Sequence, residues 1–149
     1  MIVSVHTIAG AMLSDMPMHA VIIFFISFFS HFLLDMIPHG DKHIFRNCTE
    51  ELKLNTIKKY ILIDLIISFG LIIFFFFNVP RIQYWALSAG IFGNLLPDLL
   101  VALYEMFNIK CLKKFHQIHT FFHDLIKYQP KFTIIIQIVA FIILFKSFI

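Results

Sequence analysis

Residues 61–78 read ILIDLIISFGLIIFFFFN. This run decides between a membrane helix and a membrane strand. A strand of a membrane barrel alternates lipid-facing apolar residues with lumen-facing polar ones. Here Ile72 to Phe77 is unbroken apolar sequence, with no alternation. Backbone groups in hydrocarbon must pair within their own segment or around a closed barrel, so the run is read as a helix.

Working outward, similar runs recur. Of 149 residues, 60% are hydrophobic, 20 are Phe and only 14% are charged, which is too apolar for the surface of a soluble domain of this length. A crossing of the roughly 30 Å hydrocarbon core takes about 20 apolar residues. The expectation is a single all-α integral-membrane bundle over 1–149. It has a short helix 1–14, spans at 20–37, 57–79, 82–107 and 132–149, and an amphipathic helix at 110–128. That makes four or five crossings. The first 14 residues lack a basic n-region and read as a retained helix, not as a cleaved signal.

Charge gives orientation. The net charge of +3 is modest and fits an anionic membrane face, not nucleic acid. The 38–59 connection carries Lys42, Arg46, Lys53, Lys58 and Lys59, and the 108–131 connection carries Lys110, Lys113, Lys114, Lys127 and Lys131. The NVPR turn carries only Arg81. The two basic connections therefore belong on the cytoplasmic side of a multi-pass protein, expected in a bacterial inner membrane. Cys48 and Cys111 are too few for a disulfide framework.

Ionisable side chains inside a span are costly, so each needs a reason. His6, His31, Asp35, Asp64 and Asp98 all fall in the cytoplasmic half of their segments. Within SHFLLDMIPHGD (30–41), His31 and Asp35 are one helical turn apart, and His39 follows at the same spacing past Pro38. In FHQIHTFFHD (115–124), His116, His119 and His123 share a face beside an apolar stripe of Phe115, Ile118, Phe122 and Leu125. In GNLLPDLL (93–100), Pro97 removes a helical hydrogen bond and is expected to leave Asp98 at a break facing the bundle interior. Read singly, His19 and His43 are interfacial, Asp15 is a cap or loop charge, and Glu50, Glu51, Glu105 and Asp124 are solvated. Asp64 serves equally well as a cross-bundle hydrogen-bonding group.

Read together, imidazoles and carboxylates gathered at one depth point to a divalent metal site. The expected ligands are His6, His31, Asp35, His39, Asp98, His116 and His119. The catalytic candidates are Asp98, His119 and His123, a spare carboxylate or imidazole moving the proton. Zinc is the expected metal, with manganese and iron as alternatives. A site at headgroup depth favours membrane lipids as partners and a lipid or lipid-linked phosphate as substrate. A metal-ion or proton transporter would need polar groups in the outer half as well, and a haem bundle sits badly with the acids. A non-enzymatic scaffold, its polar layer only joining helices, is the remaining reading.

HTIAG (6–10), GNLLPDLL and FHQIHTFFHD resemble small bacterial inner-membrane proteins described as membrane-bound metal-dependent hydrolases. That pattern is a His followed by Gly, then L-P-D-x-D, then H-R-G-x-T-H-S. The resemblance implies roles for His6, Asp98, His116 and one of His119 and Thr120. The chain departs from it at Leu100, at Gln117-Ile118 and in the order of His119 and Thr120. Separately, SHFLLDMIPH resembles the H-x-x-x-D…P-x-H stretch of zinc-dependent phospholipases C and related single-strand nucleases. That likeness implies zinc ligation by His31, Asp35 and His39 and attack on a phosphodiester.

Overall fold

The computed structural model describes residues 3–37, 50–79, 82–123, 125 and 133–149, with backbone alone for 50–58 and 133–134. His39, Asp41, His43, Cys48 and Asp124 lie outside the described residues. Among the described residues every regular element is helical. The order is α1 (Val3–Leu13), α2 (Ala20–Asp35), α3 (Glu50–Asn78), α4 (Tyr84–Phe107), a 3-10 turn (Lys110–Leu112), α5 (Lys113–His123) and α6 (Thr133–Phe148). Two of these, α3 over Lys59–Asn78 and α4, are long and apolar enough to cross a membrane. Helices α1, α2 and α6 are apolar but shorter.

Helix α1 is the centre of the packing. Its 11 residues make about 16 Å of helix, half a hydrocarbon core. Ser4 through Ala11 are all buried, with α2, α3, α4 and α6 against them. A helix buried this way cannot leave its first N–H groups to water. Asp64 of α3 supplies the acceptor: Oδ2 takes the N–H of Val3 and Oδ1 takes that of Ser4 at 3.2 Å. The carboxylate also lies at the positive end of the α1 dipole. Asp64 is thus an N-terminal cap placed on α1 by another helix.

Small residues set how closely the helices approach. A Cβ on Gly10 would fall 2.5 Å from the carbonyl oxygen of Gly90, and one on Gly90 would strike the carbonyl of Gly10. Gly93 stands in the same way against α2, where a Cβ would lie 2.5 Å from the carbonyl oxygen of Phe24. Backbone thus meets backbone at both α1–α4 and α2–α4. At the other end Leu71, Phe75, Val79, Ile82, Leu87 and Phe148 close the core.

Several boundaries differ from the sequence reading. Helix α2 ends at Asp35, with Met36 and Ile37 in a turn. Its first turn is capped by His19, whose Nδ1 accepts from the N–H of Val21. Helix α3 begins at Glu50, so Lys53, Lys58 and Lys59 belong to a helix and not to a connection. Helix α4 runs through Pro97 without the expected break. Proline costs the Gly93 carbonyl its helical partner, and tight packing on both flanks holds the turn regardless. The amphipathic segment begins as a 3-10 turn after Asn108, whose left-handed backbone (φ 51°) turns the chain off the end of α4.

Two outcomes follow from the packing of α1. Gly90→Ala should lower thermal stability in detergent micelles by about 1–3 kcal/mol or prevent folding, because the Gly10 carbonyl in its way is main chain and cannot swing aside. Asp64→Ala should cost about 0.5–2 kcal/mol, the usual loss for a removed cap, while Asp64→Asn keeps an acceptor oxygen and most of that stability.

Candidate metal centre

Four elements bring side chains to one point. Helix α1 supplies His6, α2 supplies His31 and Asp35, α4 supplies Asp98 and Asn94, and α5 supplies His119. His31, Asp35, Asp98 and His119 each offer a ligand atom within 4.8 Å of the others. His31 Nε2 lies 3.0 Å from Asp35 Oδ2 and 3.6 Å from Asp98 Oδ1. His119 Nε2 lies 3.1 Å from the same Asp35 oxygen and 3.3 Å from the same Asp98 oxygen. The two Nε2 atoms are 3.2 Å apart. A tetrahedral ion with bonds of about 2.0–2.1 Å has donor-to-donor edges of about 3.3–3.4 Å. These separations bracket that edge, and the Asp35 and Asp98 oxygens lie within 4.8 Å of each other, so a small contraction of the set would hold a small divalent ion. Two imidazoles and two carboxylates suit zinc, manganese or iron.

The hydrogen-bond network decides which nitrogens face inward. Asn94 Nδ2 donates to the carbonyl of Ser27 at 3.1 Å and to Ser30 Oγ at 2.8 Å, which fixes the amide with Oδ1 as acceptor. His6 Nδ1, 2.8 Å from that Oδ1, therefore carries the proton. His31 Nδ1 donates to the main-chain carbonyl of the same Asn94 at 2.8 Å. Both rings turn Nε2 toward the carboxylates, the arrangement in which a partner on the far nitrogen prepares an imidazole to ligate. The sequence reading of GNLLPDLL assigns no role to Asn94. The available signal was an amide in an apolar helix, next to Gly93, where lipid contact gives it no purpose.

Asp35 is 1% exposed and His31 0%, whereas the Asp98 side chain is 32% exposed. The centre therefore opens on the Asp98 side. Helix α5 covers the rest: Phe115 and Phe122 pack on Phe32, and His119 reaches in between. Ile118, Phe121 and Leu125 stay exposed, so Ile118 and Leu125 leave the stripe expected of them and share an outer apolar face.

The expected triple-His face separates. Only His119 enters the centre. His116 turns to Glu105, with Nε2 3.4 Å from Oε1, and its ring lies tilted against that of Tyr104, because it lies on the flank of α5 that meets the end of α4. His123 is one turn beyond, its ring 6.1 Å from that of His119. His6, expected as a ligand, adjoins the four donors, with Nε2 3.2 Å from Asp35 Oδ1. The expected ligand His39 lies outside the described residues.

Comparison with family models, with curated proteins and with solved structures finds no match.

His119 supplies a pH test. Burial pulls its pKa down, but hydrogen bonds to Asp35 and Asp98 override this and raise it from 6.5 to about 9. Without metal, the stabilisation this proton gives to α5 docking is complete below about pH 6.5 and is lost as pH rises through 9. A metal must displace that proton. Zn²⁺ affinity, measured against a competing chelator, should rise by about tenfold per pH unit between those two values and then level off. In His119→Ala the slope should flatten along with the overall loss of affinity.

Proposed function

We propose that this chain is a multi-pass membrane protein whose metal centre hydrolyses a lipid or lipid-linked phosphate at the cytoplasmic headgroup level. The observation that carries the reading is the set of four donors at coordination spacing, with His31 already presenting its lone pair. A purely structural polar layer has no need to crowd ligand atoms on one point. On this reading α2 and α6 cross together with α3 and α4, and α1 is a half-length helix shielded by them. Buried helices of this kind are tolerated inside a membrane protein when other protein surrounds them. Lys110, Lys113 and Lys114, exposed around the start of α5, favour the cytoplasmic side and the anionic headgroups there.

A bound divalent ion, zinc foremost, would polarise a phosphoryl oxygen and bring the pKa of water toward neutrality. The protein's own contribution is separable. Asn94 holds the rings in register, α5 covers the centre from outside, and Asp98 forms its open edge. A substrate phosphate would approach by that edge. His123, beside His119 but outside the donor set, is placed to pass a proton toward solvent.

The test is metal content and hydrolysis on the purified full chain in detergent, wild type beside His31→Ala and Asp98→Ala. The expected result is near-stoichiometric zinc, manganese or iron in the wild type and hydrolysis of a phospholipid or lipid-phosphate in mixed micelles. Partners outside the donor set typically cost 10–100-fold in affinity, so loss of a donor should reduce metal and turnover by more than about 100-fold. Both variants should still insert. Folded wild type that takes up no metal would leave the scaffold as the better reading. Metal without hydrolysis, but with ion flux in proteoliposomes, would favour the transporter.

A further inference from the structure

The four-donor centre leaves His6 unexplained. This imidazole is fully buried, as is Asp35 beside it. Its proton is committed to Nδ1 by Asn94 Oδ1 at 2.8 Å, and the Asn94 amide cannot reverse without setting its oxygen against the Ser27 carbonyl. In the neutral ring, His6 Nε2 then directs a lone pair at Asp35 Oδ1, 3.2 Å away. Two buried acceptors facing each other at that distance repel unless a cation lies between them. Two donors on one ion, each about 2.1 Å from it and about 100° apart, stand about 3.2 Å from each other.

The rings repeat the pattern. His6 and His31 stack with centroids 4.1 Å apart and planes 26° from parallel. Each meets a different oxygen of the same carboxylate: His6 meets Oδ1, and His31 meets Oδ2 at 3.0 Å. Paired catalytic ions stand about 3.5–4 Å apart, close to this ring separation.

We propose that the centre holds two divalent cations bridged by the Asp35 carboxylate. The first lies among His31, Asp35 Oδ2, Asp98 and His119, and the second between His6 Nε2 and Asp35 Oδ1. This rests on the metal-centre reading above and adds to it a second position. It also gives α1 a purpose: the buried half-length helix delivers the ligand of the inner ion.

The probe is Mn²⁺, titrated into the metal-stripped full chain in detergent and followed by metal content and electron paramagnetic resonance. The expected result is two ions per chain and the spectrum of an exchange-coupled pair. His6→Gln should then bind one ion, with the spectrum of an isolated site. Should His6→Gln fail to fold, the wild-type spectrum decides alone, since coupling requires two ions at bridging distance. One uncoupled ion in both proteins would overturn the second position, identify a proton as the cation between His6 and Asp35, and leave the four-donor centre standing. No bound ion in folded wild type would overturn both.

Discussion

A helix of 11 residues, enclosed on every side by other helices, must find all its hydrogen-bonding partners in protein. The rest of this structure depends on how that demand is met. Asp64 answers it at the N-terminus of α1 by accepting two of the orphan N–H groups from the middle of α3. Gly10 and Gly90 answer it along the length, by letting α1 and α4 approach until main chain touches main chain. Each solution fixes the position of α1, and with it the position of His6.

The same economy governs the polar centre. Asn94 uses three of its groups on four partners: its amide nitrogen on Ser27 and Ser30 of α2, its side-chain oxygen on His6 of α1 and its main-chain oxygen on His31. One residue thus ties three helices together and sets two tautomers. It follows Gly93, which brings α2 close, and stands one turn before Asp98. The sequence GNLLPD is consequently a compact device, with close approach, ring orientation and donor in successive positions. Helix α5 completes the enclosure from outside, held by aromatic contacts on Phe32 and by the contacts of His119 with Asp35 and Asp98.

The proposed chemistry follows from placement. Donors that belong to α1, α2, α4 and α5 have no local reason to meet, and a layer meant only to join helices would satisfy each group with its nearest neighbour. Asp64 illustrates that second outcome within the same protein: a costly carboxylate fully accounted for by two amides. Asp35, by contrast, meets His6, His31 and His119 from three other positions in the chain, the crowding on which the proposed metal centre rests.

Much of this was legible in the chain itself. Uninterrupted apolar runs fix helices, because a backbone without water must bond within its own segment. The turn-spaced pair His31 and Asp35 declared a common face, since helical periodicity is local. Asp98 and His6 were marked by the cost of placing ionisable groups in apolar segments. What the sequence left open were choices between residues with equal local credentials. His116, His119 and His123 lie on one face of α5, and its packing against α2 and α4 brings only His119 among the four donors. Asp64 and Asp98 are both acids in long apolar helices, yet one caps α1 and the other edges the centre. The importance of Asn94 rests on partners 67 and 88 residues away in sequence. Periodicity and composition determined which segments are helices and which faces are polar. Only the packing of helix against helix decided which polar atoms meet, because that depends on close approach between surfaces far apart in the chain.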